Sequence, residues 1–385
     1  MKKVLYSFIT LIGILLLVSC GSDTNSKIMS NEMEQDLNAT QSIEDEKELA
    51  KIALITGRGT IDDKSFNQGT WEGISKYASP KGINHKFYQT KASTTEAYFE
   101  TIEEAIKSGA NLVVCPGYSF EESVYLAQDK YPYVNFILLD GEPHDADNKE
   151  YKVAANTMAI LYQEDQSGFL AGYAAVKDGY TKLGFIGGEK VPSVIRYGMG
   201  FIQGIDVAAK ELGVNCEVKY NYTGQFAEAP ETKNLATSWY DSGTEVIFGC
   251  GGSLGNSIMS AAEEKNKTEN SFVAKVIGVD VDQYSESNTV ITSAIKMLSN
   301  SVYDAIDMYY SGKFPSGKTT IFNVKNDGVG IAMEHSKFTT FTESDYNLLY
   351  ENLKKDKYDI NDEMTEINPN KAELGLVNTE VIFIQ

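Results

Sequence analysis

The sequence predicts an α/β protein built as two doubly wound, parallel-sheet lobes joined by a hinge. Three observations lead there. From Lys51 onward, short apolar runs alternate with stretches of helical period, which is how βαβ units and parallel sheets read in sequence. The pattern then repeats. Lys51-Ile-Ala-Leu-Ile-Thr-Gly57 opens a unit whose helix carries Gly73-Ile74, and Lys182-Leu-Gly-Phe-Ile-Gly-Gly188 opens one whose helix carries Gly204-Ile205, with 22 residues from lysine to helix glycine in both. Each unit also reaches a strand that terminates in aspartate, Phe136-Ile-Leu-Leu-Asp140 and Val276-Ile-Gly-Val-Asp280. Open parallel sheets bind ligands at the carboxyl ends of their strands, so two facing lobes place a site in the cleft between them.

In chain order, strands are expected at Lys51–Thr56, His85–Gln89, Asn111–Cys115, Val134–Asp140, Lys182–Ile186, Cys216–Tyr222, Glu245–Phe248 and Lys275–Val279. Helices are expected at Phe66–Tyr77, Thr95–Ser108, Glu121–Gln128, Gln166–Val176 and Tyr197–Glu211. The first lobe then spans 51–158 plus a return segment, 297–330. The second spans 159–296 plus 331–385, with a helix at Asp345–Lys355 packed near it and a strand-like tail at Val377–Ile384. Three crossings between lobes make the hinge.

Ahead of the folded part, Lys2 and Lys3 precede a 15-residue apolar run, Val4–Val18, and then Ser19-Cys20-Gly21. The run is shorter than the roughly 20 residues of a membrane span and suits a signal peptide, 1–19. Leu17-Val18-Ser19-Cys20-Gly21 resembles a lipobox, so Cys20 is expected to be acylated and to hold the protein on the outer face of the cell membrane. Residues 20–50, rich in Ser, Asn, Thr, Asp and Glu, read as a solvated tether.

The net charge of −20, which becomes −22 once Lys2 and Lys3 are removed, argues against nucleic acid or anionic lipid as a partner, because both require a basic face. Cys115, Cys216 and Cys250 are too few for a disulfide framework and read as buried thiols. His85, His144 and His335 lack zinc-ligand spacing. No metal and no cofactor is expected, and the chain is expected to act as a monomer.

Three motifs could carry chemistry. Gly59-Thr-Ile-Asp62-Asp63-Lys64-Ser65-Phe66-Asn67-Gln68 lies between a strand and a helix, where its polar residues can cap the helix. Phe66 either packs in the core or offers a ring to a ligand at the cleft mouth. Gly249-Cys-Gly-Gly-Ser-Leu-Gly255 fits neither the dinucleotide nor the P-loop register. It is either a turn that needs positive φ or a helix start whose amides meet a ligand. Asp280-Val-Asp282-Gln283 precedes Thr292-Ser-Ala-Ile-Lys296. Asp280 can accept from vicinal hydroxyls and Lys296 can donate to the same group, or the two simply pair.

Lys51-Ile-Ala-Leu-Ile-Thr56, Ile61-Asp-Asp-Lys-Ser-Phe-Asn-Gln68 and Trp71-Glu-Gly73, followed in order by Gln166-Ser-Gly-Phe-Leu-Ala-Gly172, Gly187-Gly188 with Pro192-Ser-Val-Ile195, and Ile277-Gly-Val-Asp-Val-Asp-Gln283, resemble the basic membrane protein family of lipoproteins. The resemblance covers residues 51 to about 330 of the chain. It implies the type I periplasmic-binding-protein fold and a receptor that captures a purine nucleoside for an ABC importer, with permease and ATPase subunits as partners. It implies that Phe66 and Phe226 sandwich the base and that Ser65 reaches it. Asp280, Lys296 and a glycine of the 251–255 loop, Gly252 or Gly255, would hold the ribose. Asp140 and Glu122 compete to read the base; Asp140 is preferred because it mirrors Asp280. One departure is clear: Gly57 and Arg58 follow the first strand, where the family commonly has aspartate.

Rival readings are a receptor for a sugar or other small polar ligand, an enzyme such as a nucleoside hydrolase, and a surface adhesin. The acids here lack the placed nucleophile or metal-bound water that hydrolysis requires.

Overall fold

The computed structural model describes residues 51–57, 59–361 and 374–384. The expected signal peptide, Cys20 and the 20–50 tether lie outside the described residues.

The first sheet has six strands, all parallel: β1 (Ile52–Thr56), β2 (His85–Gln89), β3 (Leu112–Pro116), β4 (Asn135–Leu139), β5 (Thr157–Tyr162) and β11 (Lys318–Phe322), ordered β11-β5-β4-β3-β1-β2. Helices α1 (Phe66–Ala78), α2 (Thr95–Lys107) and α3 (Glu121–Lys130) connect the first four strands. In β1 and β3 every residue is buried, as expected for strands covered on both faces by crossover helices.

The second sheet has seven strands in the order β12-β10-β9-β8-β6-β7-β13: β6 (Lys182–Gly187), β7 (Cys216–Tyr222), β8 (Val246–Cys250), β9 (Lys275–Asp280), β10 (Val290–Lys296), β12 (Val329–Ile331) and β13 (Thr379–Phe383). Only β12 runs antiparallel to its neighbour. Helices α5 (Pro192–Leu212), α6 (Pro230–Asp241) and α7 (Leu254–Glu269) belong to this lobe. The three thiols, Cys115, Cys216 and Cys250, are free and buried.

Each sheet sends its fifth strand's helix to the other lobe. Helix α4 (Glu164–Lys177) follows β5 and packs on α5 of the second lobe, whereas α8 (Leu298–Tyr310) follows β10 and packs on α1 of the first. The repeated glycines serve these two contacts. A Cβ at Gly73 would lie 2.6 Å from the Ser299 carbonyl oxygen on α8, and one at Gly204 would lie 2.1 Å from that of Phe169 on α4. Only glycine lets the backbones come this close.

The boundaries differ from expectation at two places. The 158/159 division falls inside β5, because Thr157–Tyr162 continues to pair with β11 as far as Tyr162↔Phe322, and the chain leaves the first lobe at Gln163. The return segment also ends before 330. The loop between β11 and β12 turns on a capping box at Asn323 and Asn326, and Val329 and Ile331 then bury against β10 of the second sheet. Helix α5 starts five residues earlier than expected, at Pro192, where a proline without an amide hydrogen costs the first turn nothing. The tail strand β13 lies parallel to β7, and the Asp206 carboxylate accepts from Val377 N and Asn378 N to fix its entry. Helix α9 (Glu343–Lys354) has contacts with α4.

Candidate functional site

The loop after β1 is organised by Asp63. Its carboxylate accepts from the amides of Ser65, Asn67 and Gln68, each at 3.0 Å, and so satisfies the open end of α1. The exposed neighbour Asp62 instead accepts from Thr60. Of the adjacent pair, one carboxylate is a helix cap and the other a surface group. The cap places Ser65, fully buried, and Phe66, half-buried, at the carboxyl edge of the first sheet.

Asp140 and Asp280 follow β4 and close β9 with φ of 59° and 66°, an uncommon conformation that aspartate tolerates better than most residues. Both stand at carboxyl ends of parallel strands, as the internal echo predicts, and each reaches across to the other lobe. Ser65 donates to Asp280 at 2.5 Å, and Lys296, the last residue of β10, donates to Asp140. Gln283 adds a third interlobe bond, donating to the Lys64 carbonyl at 2.7 Å, and Tyr118 donates to Glu189 at the rim.

Lys296 is the centre of the arrangement. Its side chain is 2% exposed, and its ammonium also meets Glu164 at 2.9 Å. It sits 4.9 Å from the centre of the Phe66 ring, 5.2 Å from that of Tyr162 and 5.6 Å from that of Tyr197. Glu164 in turn accepts from Arg196 Nε at 2.5 Å. Burial pushes Asp140 up to about 6 against the pull of Lys296, and burial raises Asp280 as well. Burial works against the charge of Lys296, but Asp140, Glu164 and Asp280 outweigh it and hold the ammonium above its ordinary range. Burial would also raise Glu164, yet Arg196 and Lys296 hold it below the usual carboxylate range.

Asp140 and Lys296 therefore meet directly, Ser65 meets Asp280, and Phe66 lies beside Lys296. Lys296 takes Asp140 and Glu164 as its carboxylate partners, not Asp280. Glu122 stands apart from this cluster, accepting from Thr95 at 2.6 Å. Phe226 is half-buried in the second lobe, where a Cβ at Gly188 would lie 2.4 Å from its ring and one at Gly251 2.8 Å. Gly252, with φ of 50°, backs onto the Phe226 carbonyl, which accepts from Leu254 N at 2.9 Å. The glycine loop thus shapes a turn that seats Phe226. Gly255 lies in α7 near Met259 and Gln283.

The sequence reasoning missed Glu164, Arg196, Tyr162 and Tyr197. Glu164 lies two residues ahead of the expected helix, Gln166–Val176, where nothing local sets it apart from other acids. Arg196 left a signal: the chain has only two arginines, Arg58 and Arg196, among many lysines. A cavity of about 390 Å³ opens at the rim between the lobes, lined by Asp62 and Lys64 on one side and Glu228, Asn256, Met259, Ser260, Glu263 and Glu286 on the other. It is lined by none of the clustered residues. Among the described residues no helix is long and apolar enough to cross a membrane, and no cluster of three or more His, Cys, Asp or Glu could hold a metal ion.

Solved structures of other proteins share the fold. A solute-binding protein of an ABC transporter system from Aeropyrum pernix K1 superposes with a TM-score of 0.68 at 20% identity, covering 80% of this chain and 92% of that one. One from Conexibacter woesei DSM 14684 gives 0.63 at 20% identity, covering 81% and 99%. In sequence, the chain is 30% identical to the ABC transporter nucleoside-binding protein BmpA of Lactococcus lactis subsp. cremoris (strain MG1363), over 87% of this chain and 93% of the relative. It is 29% identical to basic membrane protein D of Borreliella burgdorferi (strain JD1), over 79% and 85%. The family model described as ABC transporter substrate-binding protein, PnrA-like, matches residues 50–366, and the chain belongs to this Bmp family.

Proposed function

We propose that this protein captures a nucleoside, with a purine base, in the cleft between its lobes and delivers it to the permease and ATPase subunits of an ABC importer. One observation carries the reading. Asp140, Asp280 and Lys296 converge from opposing sheet edges beside Phe66, and among the described residues Oδ1 of Asp140 is buried with no hydrogen-bond partner. A buried acceptor left open is costly unless something donates to it, and a base N–H supplies that donor. This also favours Asp140 over Glu122 as the base reader, since Glu122 is engaged by Thr95. The Lactococcus relative's name gives the same ligand class.

In this reading Phe66 and Phe226 hold the base between them. Ser65 keeps Asp280 oriented, and Asp280 and Lys296 address the ribose, with the 251–255 loop supporting Phe226. The role is binding without turnover. Calorimetric titration with a ribonucleoside, its 2′,3′-dideoxy analogue and the free base tests it. Asp280→Ala removes a charge-assisted hydrogen bond of about 1.5–3 kcal/mol, so the ribonucleoside should weaken by tenfold or more and the free base little. Equal losses for all three ligands would mean that Asp280 shapes the cleft without reading the sugar. The protein is held, in this proposal, on the outer face of the membrane by an acylated Cys20, and Cys20→Ala should release it into the soluble fraction with binding intact.

A further inference from the structure

We propose that Glu164 and Arg196 are positioning residues of the ligand site, holding the Lys296 ammonium on the second lobe so that it stays in place while the first lobe moves. The proposal rests on the reading of the cleft given above.

The groups form a chain, Arg196–Glu164–Lys296–Asp140, with one hydrogen bond or ion pair at each step. Its members are distributed unevenly. Asp140 follows β4 of the first lobe, whereas Lys296 ends β10, Glu164 opens α4 and Arg196 lies near the start of α5. Glu164 directly follows the first crossing, at Gln163, and Lys296 directly precedes the second, at Met297. When the lobes separate, the Lys296–Asp140 bond must stretch. The two bonds behind it join elements of one lobe and keep their length.

A buried ammonium needs a carboxylate wherever it sits. Without Glu164, the only carboxylate left in contact with Lys296 among the described residues is Asp140 on the moving lobe; Asp280 adds a longer-range pull but no ion pair, so the ammonium would follow Asp140. Glu164 in turn needs its own partner, because its side chain is fully buried. Arg196 meets that need with a cation that does not deprotonate, at one of only two positions where this lysine-rich chain uses arginine. Close helix packing fixes the pair. Beside it, a Cβ at Gly200 would lie 1.9 Å from the Asp165 carbonyl oxygen and one at Gly168 2.1 Å from that of Tyr197, so α4 and α5 touch backbone to backbone.

A double-mutant cycle tests the proposal, with inosine and hypoxanthine as probes and calorimetry on the folded protein. Glu164→Gln, nearly isosteric, should weaken inosine about tenfold in the native background and less than twofold when Lys296→Met is already present. Hypoxanthine should respond little in either background. Arg196→Gln should reproduce the loss, and Arg196→Lys should recover only part of it. Equal losses of inosine affinity with and without Lys296 would overturn the proposal, because they would mean that Glu164 acts through the fold. Should the native protein bind neither inosine nor any other purine nucleoside, the reading of the site fails. Crystals of Glu164→Gln then decide the proposal separately. A Lys296 Nζ displaced toward Asp140 supports it, and one that has not moved sinks it.

Discussion

At the outer edge of the first lobe, β2 leaves Lys86 and Phe87 exposed. The corresponding edge of the second lobe, β7, is covered by β13 from the far end of the chain, with Phe383 stacked on Tyr220. The helix contacts differ in the same sense. Helix α1 approaches α8 through Gly69 and Gly73, whereas α4 and α5 interlock through Gly168, Gly172, Gly200 and Gly204, each within 2.2 Å of a facing carbonyl oxygen if given a Cβ. The two lobes share a strand order and differ in how tightly their helices and edges are bound. The second is built as the platform, and it carries Phe226, Asp280 and Lys296. The first brings Ser65, Phe66 and Asp140 to it.

The largest expected effect tests that contrast in packing. Gly200→Ala forces α4 and α5 apart along their whole contact and should cost about 3 kcal/mol in urea unfolding, at the upper end for overpacked interiors. Gly73→Ala gains the same helix propensity but meets its nearest backbone oxygen at 2.6 Å, and should cost about 1–2 kcal/mol. Equal costs would remove the distinction between platform and partner.

The strand-end aspartates sharpen the comparison through pH. Below about pH 4 the Asp140 carboxyl is protonated in both folded and unfolded chains and costs nothing. Between about pH 4 and about 6 the unfolded chain ionises this acid while the folded state keeps it protonated, so stability falls across that window and levels off once the folded acid ionises too. The swing should be on the order of 2–3 kcal/mol, read as the stability difference between the native protein and Asp140→Asn from pH 4 to 7. Burial gives Asp280 a shift of the same sign, opposed by Lys296 and by the Ser65 hydroxyl. If the difference between the native protein and Asp140→Asn stays flat across that range, Lys296 keeps Asp140 ionised throughout. Ligand affinity should move the opposite way and weaken below pH 6, because a protonated Asp140 loses an acceptor.

The smallest effect separates the two aromatic rings. Stacking on a base is worth about 1–3 kcal/mol in nucleic-acid binders, so Phe66→Ala and Phe226→Ala should each weaken a nucleoside about tenfold or more. Their stability costs should stay below the roughly 3–5 kcal/mol of a core phenylalanine. Gly188→Ala, which pushes its Cβ into the Phe226 ring, should mimic Phe226→Ala in affinity. Normal binding by Gly188→Ala would mean that Phe226 belongs to the core of the second lobe.

The sequence by itself determined the two-lobed α/β class, the echo of the halves, the strand-end aspartates and the loop that carries Phe66. All of these are written locally, in runs of apolar residues, in helical period and in the spacing of glycine. It did not reveal β5 as a strand, since Thr157–Tyr162 is an apolar run that periodicity alone cannot separate from a helix, and the first crossing was misplaced with it. Asp62 and Asp63 are chemically identical in sequence, and only the direction of α1 decides which of them caps it. The same holds for Glu164 and Arg196, 32 residues apart and each just ahead of an expected helix, which become one ion pair because glycines bring α4 and α5 into backbone contact. Tertiary structure alone chose the partners, because a buried charge takes whichever opposite charge the fold brings within reach, and that distance is not a local property of the chain.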